Sequence, residues 1–325
     1  MRIVSFVLIA LIMMACQQQK GKDGYTISGT VPADVNGMVY LQEYKDRKYL
    51  NVDSAEIVNG KFTFTGSVPE PKVYAITRSR QRAQVFLDNY PMHLDLTPDW
   101  EIANLTGSPD AELFYNTLPQ STTGTLNPDS LLRLNPASPA AVYFLTRNIY
   151  RYDYDELKNI RESLSVDLNG HSYVKEIEEN LKSLENVQPG KTAPNFSLPT
   201  PEGDMLSLES LRGQYVLLDF WASWCPDCRK ASPLLVELHD EYKAKNFTIL
   251  SVSIDEDRER WLAAIEKDGL NWHHVITENA WSSEVAKTYA LRWVPTSFLI
   301  DPDGVIVSKS IHTQNTIDKV REVLK

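Results

Sequence analysis

The sequence predicts a C-terminal α/β domain preceded by a small antiparallel β-sandwich and a helical segment. Three observations carry this prediction. Short alternating segments fill residues 25–96, the spacing turns helical over 109–187, and beyond about residue 190 strand-like and helix-like runs alternate. The expected divisions are residues 1–15 as an export signal, 16–24 as a tether, 25–107 as the sandwich, 108–187 as a helical connector and 188–325 as the α/β domain. A chain of 325 residues with 42% hydrophobic and 23% charged side chains has room for two or three domains. A net charge of −10 gives a nucleic-acid or anionic-lipid face no electrostatic basis, so proteins or small molecules are the expected partners.

Arg2, the apolar run 3–14 and Ala15-Cys16 read as a basic n-region, a short h-region and a small residue before a cysteine. The run is too short to cross a bilayer, which takes ~20 residues. Met13-Met14-Ala15-Cys16 resembles a bacterial lipobox, with Met13 where Leu is usual. That resemblance implies cleavage before Cys16 and acyl chains on it, with Gln17-Gln18-Gln19-Lys20 as a polar tether. A plain secretory signal cut elsewhere is the alternative, and on either reading the mature chain leaves the cytoplasm.

The sandwich is read from Tyr25-Thr26-Ile27-Ser28, Met38-Val39-Tyr40-Leu41, Ala55-Glu56-Ile57-Val58, Lys61-Phe62-Thr63-Phe64-Thr65, Val73-Tyr74-Ala75-Ile76 and Met92-His93-Leu94-Asp95-Leu96. Asn59-Gly60 between two of these is a hairpin-turn signal. Helical spacing then covers 140–145, 154–164 and 174–184, punctuated by Pro128, Pro136 and Pro139. Tyr143, Phe144, Tyr150, Tyr152 and Tyr154 would serve an aromatic binding face or, as expected here, packing between helices and sandwich. Gln188-Pro189-Gly190-Lys191 reads as a linker.

In the α/β part, 215–222 is a continuous apolar run of strand length, as in a strand covered on both faces. Helices are expected at 226–243, 258–267, 282–291 and 314–324, and strands at 247–254, 274–277, 297–300 and 305–309, with Asp301-Pro302-Asp303-Gly304 as a turn.

Cys225-Pro226-Asp227-Cys228 stands where the buried strand gives way to the first of these helices. One helical turn brings the two sulfurs within reach of a reversible bond, the redox reading of a C-x-x-C pair. At the helix N-terminus Cys225 has its thiolate favoured by the helix dipole and by free N–H groups, which makes it the nucleophile. Cys228, one turn inward and expected to be less exposed, resolves the mixed disulfide. A zinc site needs a second pair of ligands, and His239, His273 and His274 lack a supporting spacing. A passive structural disulfide is the other alternative. Asp219 interrupts the apolar strand six positions before Cys225. A buried carboxylate there would titrate upward and could exchange the proton of Cys228, whereas an Asp at an exposed strand end would do nothing.

Asp219-Phe220-Trp221-Ala222-Ser223-Trp224-Cys225-Pro226-Asp227-Cys228 closely resembles the thioredoxin active-site segment, and Pro233 matches that family's helix-kinking proline. Residues 190–198 and 206–213 look like the entry of the TlpA/ResA-like branch of thiol-disulfide oxidoreductases, a redoxin of the AhpC/TSA-like kind. Val294-Pro295-Thr296 resembles the family's cis-proline loop, and 255–277 its helix-strand insertion. The sandwich resembles an uncharacterised β-domain placed ahead of such domains in envelope lipoproteins. The resemblance implies a C-terminal thioredoxin fold in which Cys225, Cys228 and Asp219 are catalytic. Trp224, Pro226, Asp227, Val294, Pro295 and Thr296 would bind substrate, and the Cys225–Cys228 disulfide would replace any organic cofactor or metal. It further implies protein disulfide substrates, apocytochrome c among the candidate clients, and re-reduction by a membrane thiol-electron donor of the DsbD type. With Cys16 lipidated, the enzyme would face the periplasm from a membrane of the cell envelope.

Two departures from the family pattern bear on direction and docking. Asp227 puts a carboxylate near Cys225, which disfavours its thiolate and predicts a more reducing couple. Trp293 stands where thioredoxins usually have Gly, and either enlarges an aromatic platform with Trp224 or simply packs. Two rivals are a thiol peroxidase, whose threonine before the cysteine is missing here, and a surface binding module on a non-catalytic scaffold.

Overall fold

The computed structural model describes residues 24–45 and 48–325, which divide into two compact units meeting at Thr125 and Leu126. The expected export signal, the lipidated Cys16 and all of the tether except Gly24 lie outside the described residues. Among the described residues no helix is long and apolar enough to cross a membrane.

The first unit holds β1 (Tyr25–Thr30), β2 (Gly37–Lys45), β3 (Lys48–Ile57), β4 (Lys61–Gly66), β5 (Lys72–Arg78), β6 (Gln81–Leu87), β7 (Pro91–Leu96), β8 (Ile102–Thr106) and helix α1 (Pro109–Thr122). The strands form two four-stranded sheets, β4-β1-β7-β8 and β3-β2-β5-β6. All pairings are antiparallel except β1 with β7. Alternate residues such as Ile27, Val39, Leu41, Phe62, Phe64, Ile76 and Leu94 are buried, the period-two signature by which the sequence predicts the strands. The Asn59-Gly60 turn adopts the expected left-handed geometry, with φ of 51° and 71°. Its hairpin is cut to a single Val58–Lys61 bridge, because β3 and β4 belong to different sheets and the chain changes sheet at this turn.

The second unit opens with α2 (Pro128–Leu134), α3 (Pro139–Arg147), α4 (Tyr154–Ser163) and α5 (Ser172–Asn186). Pro109, Pro128 and Pro139 each begin a helix behind a capping Ser108, Asn127 or Ser138. Proline is favoured there because its missing N–H would be unpaired anyway. After the short hairpin β9 (Ser197–Pro199) and β10 (Met205–Ser207) come β11 (Tyr215–Trp221), α6 (Pro226–Tyr242), β12 (Phe247–Ser253), α7 (Arg258–Asp268) and β13 (His273–Ile276). The chain ends with α8 (Glu284–Thr288), β14 (Thr296–Ile300), β15 (Ile306–Ser310) and α9 (Thr313–Val323). The five-stranded sheet runs β13-β12-β11-β14-β15, parallel across its first three strands and antiparallel across the last three. One face carries Leu217, Leu235, Leu238, Tyr242, Ile249, Leu299, Ile317 and Val320 between the sheet and α6 and α9. Phe220, Phe298 and Tyr289 pack together elsewhere in the unit.

Four expectations change here. The segment read as a linker is pinned to the sheet: Gly190 N–H donates to Ile306 O at 2.8 Å and Ile306 N–H to Lys191 O at 2.8 Å. The division between units falls instead at 125/126, where α1 closes the first unit with Phe114 against Phe86, ring centroids 5.9 Å apart. The helix expected over 282–291 shrinks to α8, because Ser283 caps its start and Ala290, at φ 49°, turns the chain left-handed at its end. Tyr150, expected to pack between helices and sandwich, stacks on Trp293 of the α/β part, 4.7 Å between centroids and 15° between planes.

Candidate active site

Strand β11 ends beneath the N-terminus of α6, and this junction sets the cysteines. Cys225 is the N-cap of α6 and Cys228 lies in its first turn; the two are joined as a disulfide with Cα atoms 5.3 Å apart. Cys225 Sγ also accepts the Cys228 N–H at 3.1 Å, the helix-terminal bond that would stabilise a thiolate once the disulfide is reduced. Both cysteines are only 4% exposed, so the expected difference in exposure between them is absent. The cause is the 294–296 loop, which lies over Cys225 with Val294 O 3.6 Å from Sγ. The Val294–Pro295 bond is cis, as the resemblance implies.

The loop entering α6 is clamped from below. The buried Asp255 carboxylate accepts from Ser223 N–H at 2.9 Å, from the Ser223 hydroxyl at 2.6 Å and from the Ser253 hydroxyl at 2.6 Å. Arg229 donates to Asp268 Oδ1 at 2.6 Å and to Ser223 O at 3.2 Å, joining α6 to α7 and to the same loop. Sequence reasoning does not single out Asp255 or Arg229, since nothing local shows what a loop carboxylate or a helical arginine will meet.

Asp219 is buried at 6% exposure, between Ser251 of β12 and Ser297 of β14 in register. The exposed strand-end alternative is thereby excluded. Burial pushes its carboxyl up from the ordinary 3.8 to about 7, opposed by a hydrogen bond from Ser251. A void with room for about one water is lined by Asp219, Cys228, Ser232, Ser251 and Pro295, so the carboxyl and the inner cysteine share one small space.

The predicted substrate-binding residues take separate roles. Trp224 is 52% exposed and faces Trp281, also exposed, with centroids 6.5 Å apart. Trp293, 40% exposed, pairs with Tyr150 rather than with Trp224. Thr296 is buried and its hydroxyl donates to Trp293 O at 2.8 Å, fastening the 294–296 loop. Asp227 is exposed and ion-paired to Lys230 at 3.1 Å, which screens part of its field at Cys225. Trp281 and Tyr150 are not legible as site residues, because their partners are distant in sequence. Glu176 of α5 ties Arg147 of α3 to Arg292 beside Trp293, at 3.0 and 3.4 Å. Among the described residues no three His, Cys, Asp or Glu side chains gather as metal ligands.

Residues 189–309 match the AhpC/TSA family, and residues 25–114 match a domain of unknown function (DUF4369). The thiol-disulfide oxidoreductase ResA of Bacillus anthracis is 36% identical over 130 residues, which are 40% of this chain and 73% of that protein. ResA of Bacillus subtilis (strain 168) is 30% identical over 123 residues, 38% of this chain and 67% of the relative. A solved structure of a thiol-disulfide oxidoreductase from Bacteroides fragilis NCTC 9343 is 44% identical and covers 41% of this chain and 100% of that one, with a TM-score of 0.39.

Proposed function

The chain belongs to the ResA-like family of thiol-disulfide oxidoreductases, and on that footing we propose that it reduces disulfides of envelope proteins from a lipid anchor at Cys16. The observation that carries the reading is the stack of Val294 O, the Cys225–Cys228 pair and the buried Asp219 carboxyl at one strand-helix junction. In the dithiol form the Cys225 thiolate attacks a substrate sulfur and a mixed disulfide forms. Asp219 takes the proton of Cys228, whose sulfur then displaces the substrate as a thiol and leaves the enzyme oxidised. No organic cofactor or metal enters these steps. Re-reduction falls to a membrane thiol-electron donor of the DsbD type. The anchor reading rests on the apolar run 3–14 before Ala15-Cys16, and it sets the domain facing the periplasm. The Asp227 carboxylate in the first turn of α6 supports the reducing direction, tempered by Lys230.

The test mixes the reduced protein with one equivalent of a peptide carrying an intramolecular C-x-x-C disulfide. One equivalent of peptide dithiol should appear as Cys225 and Cys228 become oxidised, and a Cys225→Ser protein should produce none. Persistence of the peptide disulfide would reject the reductase reading.

Substrate docking extends past the loop onto the exposed aromatic rings, since clustered exposed tryptophans mark interaction sites. Replacing Tyr150 by Ala removes the ring that holds Trp293. We expect KM for peptide disulfides to rise about three- to tenfold, the equivalent of ~0.5–1.5 kcal/mol of aromatic contact, with kcat unchanged. Steady-state kinetics with peptides of differing flanking residues read this directly, and an unchanged KM would remove Tyr150 from the docking surface.

A further inference from the structure

Ser251, Asp219 and Ser297 are aligned across β12, β11 and β14, so their side chains leave the same face of the sheet. Ser297 is engaged elsewhere, sharing a 2.6 Å hydrogen bond with Thr316. Ser251 turns to the carboxyl and donates to Asp219 Oδ2 at 3.2 Å. The Ser251 oxygen in turn accepts the indole N–H of Trp272 at 2.9 Å. An indole nitrogen only donates and a hydroxyl carries one proton. Trp272 therefore gives to Ser251, and while Asp219 is ionised the proton of Ser251 is directed to its carboxylate.

Trp272 is itself held in place. Its ring stacks on His274 at 5.6 Å and 24°, and lies 5.4 Å from the ring of His239. Burial lowers the pKa of both histidines, His274 to about 4, which disfavours a positive charge on either ring. From α6 the titratable group beside Asp219 is Cys228, while β12, β14 and α9 present Ser251, Ser297 and Thr316. With Oδ2 occupied by Ser251, Oδ1 is the oxygen left for an exchangeable proton.

We propose that Trp272 and Ser251 are positioning residues for the resolving step, holding Asp219 Oδ2 as a fixed acceptor so that Oδ1 receives the proton of Cys228. The proposal rests on Asp219 acting as the base, and adds the residues that aim it. In that step the Cys228 S–H proton passes to Oδ1 and the sulfur electron pair forms the bond to Cys225 Sγ. The bond between Cys225 and the substrate sulfur breaks, its electron pair leaves on that sulfur, and water supplies the proton that makes it a thiol. The substrate gains the two electrons that the cysteine pair loses.

The test uses the full chain carrying Cys16→Ser, reduced and mixed with 5,5′-dithiobis(2-nitrobenzoate), as wild type, Ser251→Ala, Trp272→Phe and Ser251→Thr. Release of the first thionitrobenzoate reports attack by Cys225, and release of the second reports resolution by Cys228. Losing the Ser251 donor withdraws a bond that favours the carboxylate, so the acid limb of resolution should move up by about one pH unit, roughly tenfold slower at pH 6. Trp272→Phe should slow it about threefold, as Ser251 keeps its proton but loses its orientation, roughly a third of the tenfold that full loss gives. Ser251→Thr should restore the wild-type profile, and the first phase should be unchanged throughout. In an Asp219→Asn background neither Ser251→Ala nor Trp272→Phe should have any further effect. Reduced stability with an unmoved acid limb, or equal slowing in the Asp219→Asn background, would overturn the positioning role. A wild-type profile in Asp219→Asn alone would instead reject the base, and the proposal with it.

Discussion

A Cys228→Ser protein should accumulate as a mixed disulfide with its substrate, approaching one equivalent per chain, while multiple turnover should fall to background. Cys225, at the capped start of α6, still attacks, because its environment does not depend on the second sulfur. Nothing is then placed to displace the substrate: the resolving sulfur belongs one turn further along the helix, against the void shared with Asp219. Mass spectrometry of the quenched reaction should find the adduct on Cys225. The same experiment with Cys225→Ser should give no adduct, since Cys228 sits inside the first turn of α6 against the void it shares with Asp219 and Pro295, away from the helix-capping position of Cys225. Equal trapping by the two variants would reverse or erase the assigned roles. In cells the Cys228→Ser protein would also retain its clients, identifiable through the peptides bound to it.

Asp219→Asn should stabilise the oxidised protein at alkaline pH, on the order of 4 kcal/mol at pH 8.5, and by less than about 1 kcal/mol at pH 4. Its carboxyl is raised from 3.8 to about 7, chiefly by burial. Below pH 4 the group is neutral both folded and unfolded, and burying it carries no ionisation cost. Between pH 4 and 7 the unfolded chain ionises while the folded one keeps its proton, so stability falls; above about 7 the loss is complete. Asn has no such slope. Urea unfolding at pH 4 and 8.5 measures the difference, and parallel pH dependence in the two proteins would mean that Asp219 is not held protonated by the fold. A cost of that size, once measured, would mark a group kept for chemistry rather than for packing.

How far the sequence can be read follows from which residues break a local rule. Asp219 within an apolar strand, two cysteines at a strand-helix junction and a proline just ahead of β14 each violate what their segment would otherwise contain, and these positions meet at the site. Pro128 and Pro139 read as punctuation when they are helix starts, because a capping Ser or Asn before proline serves turns equally well. Strands β6 and β8 escape notice: β6 opens on Gln81-Arg82, and most of β8 is exposed, so neither shows a clean apolar alternation. Residues that act through distant partners leave no signal. Ser251 reads as one more strand serine, Trp272 as a loop tryptophan, Tyr150 as one of a tyrosine run, and only the folded sheet and helices bring them to Asp219 and Trp293. Asp227 shows the opposite failure, a residue whose charge is visible in the sequence while the Lys230 that offsets it draws no notice.

The measurement that tests the central claim most directly is the equilibrium reduction potential of the Cys225–Cys228 pair. The full chain carrying Cys16→Ser is equilibrated across ratios of reduced to oxidised dithiothreitol, and the fraction oxidised is read by alkylation mass shift. A reversible two-electron couple near the ≈ −270 mV of thioredoxin is the predicted result. A couple near the ≈ −120 mV of a strong oxidant, or no reversible disulfide at any ratio, would contradict the reductase assignment.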